Sequence, residues 1–335
     1  MDILSLSTVT PVYNGAKYLQ NLVLALNALR VSLDRTSCLR LAECIFVLDD
    51  PKDNSEAILL DLASQYHWLT ILTLSKNYGQ HPATICGILH TSSDWVVTLD
   101  EDLQHDPSLI PSLLSKVVTT NSDICYANAE GSTHQSVIKD TLAIVWKKVM
   151  SRLLNNENIQ HFNSFRLIRG DIARASAAIC RHDTYYDIAL SWFSKRITNT
   201  VLPLIDIRNV ENVQNSGYSF WGLVRHAKRM FMSSKVKFFR WGIPIGIFAF
   251  LCSIAISFYA ITSIILNYET ILNKGWASTI LVVLFFGGLT TLLSGFILES
   301  VSEVLLSVNG KPTFFVINRT KDKLLTQVLK EMEQQ

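Results

Sequence analysis

The sequence predicts an α/β domain built on a mainly parallel sheet, followed by two membrane-spanning helices. Three observations carry that expectation. Short apolar runs rich in β-branched residues alternate with helix-length segments through the first two thirds of the chain, the pattern of a sheet covered on both faces. Several of those runs end abruptly in Asp, Asn, Gly or Pro, and open α/β sheets bind ligands just beyond the carboxyl ends of their strands. Ile243–Leu266 and Ala277–Leu298 contain no charged residue, and each exceeds the ~20 residues that a bilayer-spanning helix needs.

Taken in order, Leu4–Pro11 reads as the first strand, ending in Thr10-Pro11-Val12-Tyr13-Asn14-Gly15, where Pro and Gly mark a sharp turn. A helix follows to about Leu33. Cys44–Leu48 is the second strand, ending in Asp49-Asp50-Pro51-Lys52-Asp53-Asn54-Ser55. Carboxylates there suit a ribose or a base edge. Asp53, Asn54 or Ser55 equally suits the N-cap of the helix from Glu56. Leu69–Leu74 is the third strand, leading through Ser75-Lys76-Asn77-Tyr78-Gly79-Gln80-His81-Pro82 into a helix to about His90. Trp95–Leu99 is the fourth strand. Asp106-Pro107 opens another helix, with Pro in its first turn, and Ile124–Ala127 is a further strand.

Composition narrows the function classes. The chain has 335 residues and a net charge of +2, which argues against a nucleic-acid binder working by bulk charge. Its six cysteines show no C-x-x-C pairing, so no zinc or redox motif is visible and a reducing compartment is expected. Met1-Asp2-Ile3-Leu4-Ser5 lacks the basic start of a signal peptide.

The stretch around which the chain is organised is the end of the fourth strand, Asp100-Glu101-Asp102-Leu103-Gln104. Asp100 and Asp102 stand two apart, so in extended geometry their side chains share a face. Two carboxylates plus the Gln104 amide oxygen suit Mg²⁺ or Mn²⁺, and a metal there could bridge the phosphates of a nucleotide-sugar. The bland reading is an acidic turn, and Asp-x-Asp alone is a common match. Its position after a buried strand favours the metal reading. His105 could ligate the metal, but as an inserted neighbour it is expected to be solvated. His81 suits a contact at a helix start as well as a phosphate. Asp183 and Asp187 read as caps.

Pro11-Val12-Tyr13-Asn14, the Asp49-Asp50 strand end, Asn77-Tyr78-Gly79-Gln80-His81 and Asp100-Glu101-Asp102-Leu103-Gln104 occur in this order. So do Phe165-Arg166-Leu167, Ser216-x-Tyr218-Ser219, the two apolar runs and the tail Asn309-Gly310-Lys311-Pro312-Thr313-Phe314-Phe315-Val316. Together, from Ile3 to about Val316, these resemble the family 2 glycosyltransferases of GT-A fold, and within them the dolichyl- and undecaprenyl-phosphate sugar transferases. The resemblance implies a Rossmann-like sheet and an inverting transfer of sugar from a nucleotide-sugar to a polyprenyl phosphate. It implies that Pro11, Tyr13 and Asn14 line the nucleotide and that Asp50 contacts base or ribose. Asp100 and Asp102 would sit on the diphosphate and its Mg²⁺ or Mn²⁺, with Gln104 as a further ligand, and Arg166 near a donor or acceptor phosphate.

The chain departs from the family pattern in four places. Gly15 stands where Glu is frequent. Asp49–Asp53 is one residue shorter than usual. Ser164 stands where Asp is frequent, and Gly217 falls where the pattern carries phosphate-clamping basic residues, leaving Arg208 as the substitute cation. The rival readings are a transferase for another membrane-bound acceptor and an inactive relative acting as a binding or scaffold subunit.

The expected organisation is a catalytic domain over 1–215, a basic amphipathic segment over 216–240, two spans within 241–300 and a tail over 301–335. The amphipathic segment interleaves Trp221, Phe231 and Phe238 with Arg225, Lys228, Arg229 and Lys235, which suits an anionic membrane surface. The short connection Asn267–Trp276 holds only Glu269 and Lys274 as charges. Basic residues crowd the opposite side, so both termini and the catalytic domain are expected in the cytoplasm. The expected partners are a nucleotide-sugar, a polyprenyl phosphate and membrane lipid, with no nucleic acid. A homo-oligomer is left open.

Overall fold

In the computed structural model, the described residues are 3–36, 38–129, 151, 157–181, 184–204, 262, 276–308 and 312–317. Seven strands form one sheet: β1 (Leu4–Val12), β2 (Leu39–Leu48), β3 (Leu69–Thr73), β4 (Trp95–Thr98), β5 (Ile124–Ala129), β6 (Arg166–Arg169) and β7 (Ile197–Leu202). Their spatial order is β3-β2-β1-β4-β6-β5-β7. β1 pairs in parallel with β2 and β4, β2 with β3, and β5 with β7. Only β6 runs against its neighbours. The mainly parallel sheet expected from the sequence is therefore present, with one reversed strand inside it.

Helices α1 (Leu19–Asp34), α2 (Ser55–Gln65), α3 (Gln80–Leu89), α4 (Ile110–Thr120), α5 (Gly170–Ile179) and α6 (Tyr186–Phe193) cover the sheet. Two buried clusters result, as the alternation of β1 demands. Leu6 and Val12 pack with α1 and α4 through Leu22, Leu26 and Leu113. Val9 packs on the other face with Ala83, Cys86 and Ile88 of α3 and Ala173 of α5. Burial pushes the Cys44, Cys86, Cys125 and Cys180 thiols up to about 12.

Pro11 sits in a central strand, where proline is ordinarily excluded for want of a ladder donor. The β1–β4 ladder ends at Val9↔Thr98, with Leu99 N–H donating to Val9 O. Pro11 faces the same side as Val9, one step past that last bond, so its missing N–H costs no ladder partner. Its side chain is buried and its register partner is Val47.

Because β2, β1 and β4 are adjacent and parallel, the turns that follow Leu48, Val12 and Thr98 share one edge of the sheet. The reversal of β6 brings its first residue, Arg166, opposite Thr98 at that same edge. The tail also returns to the sheet: Ser75 N–H donates to Phe315 O at 2.9 Å, and Ile317 N–H to Thr73 O at 2.9 Å. Phe314 and Val316 lie against the second core cluster.

Residues 3–204 and 312–317 belong to one compact unit, and α7 (Trp276–Val308, 33 residues) belongs to a second. Among the described residues, no helix is long and apolar enough to cross a membrane. The first expected span, Ile243–Leu266, lies outside the described residues except for Thr262. The second, Ala277–Leu298, falls inside α7, part of whose side chains are not described. The basic amphipathic segment over 216–240 also lies outside the described residues.

Candidate active site

The turn after β1 is held by its neighbours through four consecutive backbone N–H groups. Tyr13 N–H donates to Glu101 Oε2 at 2.9 Å and Asn14 N–H to Glu101 Oε1 at 3.2 Å. Gly15 N–H donates to Ser55 Oγ at 3.1 Å and Ala16 N–H to Asp53 Oδ2 at 3.0 Å. These donors precede α1 and have no partner within that helix. The turns after β4 and β2 supply the acceptors instead, so three strand ends form one framework. Tyr13 and Asn14 keep exposed side chains there.

The turn after β2 divides its carboxylates by task. Asp49 is buried and accepts N–H bonds from Tyr78 and Gly79, both at 2.7 Å. Burial pushes its carboxyl above the usual range, against the pull of those two bonds. Asp49 thereby fixes the Asn77-Tyr78-Gly79 turn, whose Gly79 has φ +96° at the start of α3. Asp50, also left-handed at φ 55°, pairs with Lys52 Nζ at 2.6 Å on an exposed surface, a bond of little energetic weight. Asp53 Oδ1 accepts from Ser55 N–H at 3.1 Å. Burial works to raise the Asp53 carboxyl, but the bonds from Ser55 and Ala16 outweigh it and hold it below its ordinary value. The two readings of this strand end thus fall on different residues: Asp53 serves the helix start, and Asp50 is left at the surface.

The turn after β4 is tight. Leu103 takes φ 60° and packs against the first core cluster. Asp100 Oδ1 accepts from Gln80 Nε2 at 2.7 Å and Oδ2 from Ser164 Oγ at 2.8 Å. Thr98 Oγ1 in turn donates to Ser164 O at 2.6 Å. His105 is not solvated as expected. It is 7% exposed, stacks on Phe165 with ring centroids 4.9 Å apart, and lies 3.0 Å from Asp100 N. A backbone N–H only donates, so His105 Nδ1 is the acceptor of that bond. Asp102 Oδ1 accepts from Gln104 N–H at 3.3 Å.

The residues of this turn fit a hard divalent cation. Burial pushes the Glu101 carboxyl up to about 7, against the bonds from Tyr13 and Asn14, and the neighbouring charges of Asp102 and Asp53 push the same way. The turn thus gathers carboxylate oxygens, which are hard ligands. Among the described residues, no group of three or more His, Cys, Asp or Glu is arranged around a single metal position. Each Asp100 oxygen keeps a second lone pair beside its bond to Gln80 or Ser164.

Two of the expected site residues are buried in this structure. Arg166 is buried, 4% exposed, and its guanidinium is spent inside the protein. It pairs with Asp187, donates to Asn163 O at 3.3 Å, and lies over the Tyr186 ring at 4.8 Å. Arg166 alternates with Phe165 and Leu167 along β6, and its own face of the sheet is the interior. Asp187 is accordingly no cap: it is 1% exposed and also accepts from Tyr126 Oη at 2.8 Å. Pro11 is buried in β1. Arg208 and Asp183 lie outside the described residues. The contacts of Glu101 and Asp49 were not legible beforehand, because each acts through backbone N–H groups of a distant turn; Asp53 suits the helix start as expected and adds a bond from Ala16 N–H.

Comparison with known proteins identifies the family. The sequence model described as glycosyl transferase family 2 matches residues 7–175, which runs from β1 through the β4 turn into α5. An uncharacterized glycosyltransferase of Synechocystis is 26% identical over 314 residues, covering 93% of this chain and 95% of the relative. The bactoprenol glucosyl transferase of Shigella phage SfX is 22% identical, over 83% of this chain and 88% of its own. The undecaprenyl-phosphate 4-deoxy-4-formamido-L-arabinose transferase of Salmonella paratyphi A is 26% identical, over 94% of this chain and 93% of its own. With the family match spanning half the chain and containing every strand-end turn of the site, the protein belongs to glycosyl transferase family 2.

Proposed function

We propose that this glycosyltransferase moves a sugar from a nucleotide-sugar to a polyprenyl phosphate such as undecaprenyl phosphate, at the cytoplasmic face of a membrane. The observation that carries the reading is the juxtaposition of Tyr13, Asp50 and Asp102 at one sheet edge, which matches a nucleotide lying across three strand ends. The acceptor is suggested by the relatives named for bactoprenol and undecaprenyl phosphate, which cover most of the chain. Tyr13, Asn14 and Asp50 would contact the nucleoside, and Asp100 and Asp102 the diphosphate region.

In the reaction, the bond from the anomeric carbon to the diphosphate oxygen breaks and the nucleoside diphosphate leaves with the electron pair. A phosphate oxygen of the acceptor forms the new bond from the opposite face, inverting the configuration. That oxygen is already ionised near pH 7, so no strong general base is needed. Ser164 is compatible with this: its hydroxyl donates to Asp100 Oδ2 and takes no proton. Asp102, with Asp100 and Gln104, would hold Mg²⁺ or Mn²⁺, whose charge would offset that of the departing diphosphate. The residues themselves align donor and acceptor and exclude water, and alignment of this kind supplies much of such a rate.

Membrane placement is part of the proposal. It is supported by the uncharged runs Ile243–Leu266 and Ala277–Leu298 and by the basic aromatic segment that precedes them. A donor labelled in its β-phosphate tests the chemistry. Sugar transfer leaves the label in the released nucleotide, and mild acid then frees the sugar from the lipid. Label appearing in the lipid product would refute sugar transfer and indicate transfer of a phosphosugar.

A further inference from the structure

We propose that Gly15 and Glu101 form a matched pair, in which the Glu101 carboxylate fills the space that a side chain at position 15 would take and fixes the donor-side turn relative to Asp102. Glu101 is thus a positioning residue. The inference rests on the donor reading above.

The geometry is specific. A Cβ built on Gly15 would stand 2.5 Å from Glu101 Oε2, 3.0 Å from its Cδ and 3.3 Å from its Cβ, and these are its three nearest neighbours. Among the described glycines only Gly79 has a positive φ in the left-handed range. Gly15 is therefore glycine for room and not for backbone conformation. What occupies the room is a carboxylate with both oxygens engaged, on two successive N–H groups of the turn. Among the described residues no cation pairs with Glu101, so those two N–H groups are its direct compensation. Glu101 is covalently adjacent to Asp102, the expected metal carboxylate. One side chain thereby links the nucleoside side of the site, at Tyr13 and Asn14, to its diphosphate side. Its length matters as well: aspartate is one methylene shorter, and glutamine offers one acceptor oxygen where glutamate offers two.

A double-mutant cycle on the full-length protein tests this. The variants are Gly15→Ala, Glu101→Ala and the pair together, with Glu101→Gln as a near-isosteric fourth. The probes are UDP, GDP and CDP, each with Mg²⁺, for binding. For turnover, the matching nucleotide-sugars are used with undecaprenyl phosphate. Glu101→Gln should fold normally and raise donor KM on the order of tenfold, from loss of one charge-assisted bond, with a smaller change in kcat. Gly15→Ala should weaken nucleotide binding by a similar factor in the wild-type background and have little further effect when Glu101 is already Ala. Additive effects, or a Glu101→Gln enzyme with unchanged donor KM, would overturn the pairing while leaving the glycosyl-transfer reading intact. A wild-type protein that binds none of the nucleotides would overturn both.

Discussion

Replacing Asp187 with Asn separates a structural ion pair from a substrate-binding arginine. The substitution keeps the shape and removes the charge, leaving the Arg166 guanidinium buried without its counter-ion. Arg166 is 4% exposed and Asp187 1%, and Arg166 Nε already has no hydrogen-bond partner. Removing one member of such a pair costs about 3–5 kcal/mol, a large part of the ~5–15 kcal/mol that holds a typical domain together. For a domain of roughly 200 residues, each kcal/mol moves Tm by about 2–4 °C, so the loss should be about 6–20 °C. The assay is thermal and urea unfolding of the full chain in detergent, followed by tryptophan fluorescence. The triple variant Tyr126→Phe, Arg166→Met, Asp187→Leu removes both charges and the Tyr126 hydroxyl together. It should recover most of the loss, because apolar replacement of a whole buried pair is close to neutral. It should also retain sugar transfer. A triple variant that is stable but inactive would show that Arg166 reaches a substrate phosphate, and an Asp187→Asn protein as stable as wild type would refute the energetic argument.

Other expectations follow from the same geometry. Asp49 has its carboxyl raised by burial, so the folded state holds its proton more tightly than the unfolded chain. Its contribution to stability is present below the unfolded value near 4 and is lost as pH rises through the folded value; Asp49→Asn should remove that part of the pH slope in urea titrations and loosen the Tyr78–Gly79 turn, and an unchanged slope would contradict the assignment. Ser164→Ala deletes the donor to Asp100 Oδ2 and should lower kcat several-fold, on the scale of one charge-assisted bond, at unaltered Tm; full activity would show that this bond does not position Asp100. The proposed topology predicts that a cysteine placed in the Asn267–Trp276 connection reacts with an impermeant reagent added outside intact cells and that one near Gln335 does not, and the reverse pattern would overturn the orientation.

Of the strands that the sequence announced, β1, β4 and β5 carry continuous buried runs, while β3 has only Leu69 buried and is marked by its apolar residues. β1, β3 and β4 fall within a residue or two of expectation. β2 starts earlier than Cys44, because Leu39–Glu43 is only half buried and interrupted by Arg40 and Glu43. β6 and β7 were not foreseen as strands. Arg166-Leu167-Ile168-Arg169 is four residues flanked by charge, and Ile197–Leu202 has Thr and Asn on a half-exposed surface. Neither shows a hydrophobic period: β6 depends on pairing with β4 and β5, and β7 on pairing with β5. At the site, the residues legible in advance were those standing at strand ends. What each does required knowing what it faces. Arg166 carried a phosphate role by resemblance, yet its partner Asp187 lies 21 positions away. Glu101 drew no separate role in the sequence, because its function is to bind the backbone 88 positions earlier.

The central claim is metal-assisted sugar transfer from a nucleotide-sugar to a lipid phosphate through Asp102. The direct test pairs purified wild-type protein with Asp102→Asn in Mg²⁺ or Mn²⁺, supplied with undecaprenyl phosphate and a panel of sugar-labelled nucleotide-sugars. Labelled lipid is expected from wild type with at least one donor, with loss of that product on chelation and no product from a normally folded Asp102→Asn protein. Near-normal turnover by Asp102→Asn, or transfer that persists in excess chelator, would contradict it.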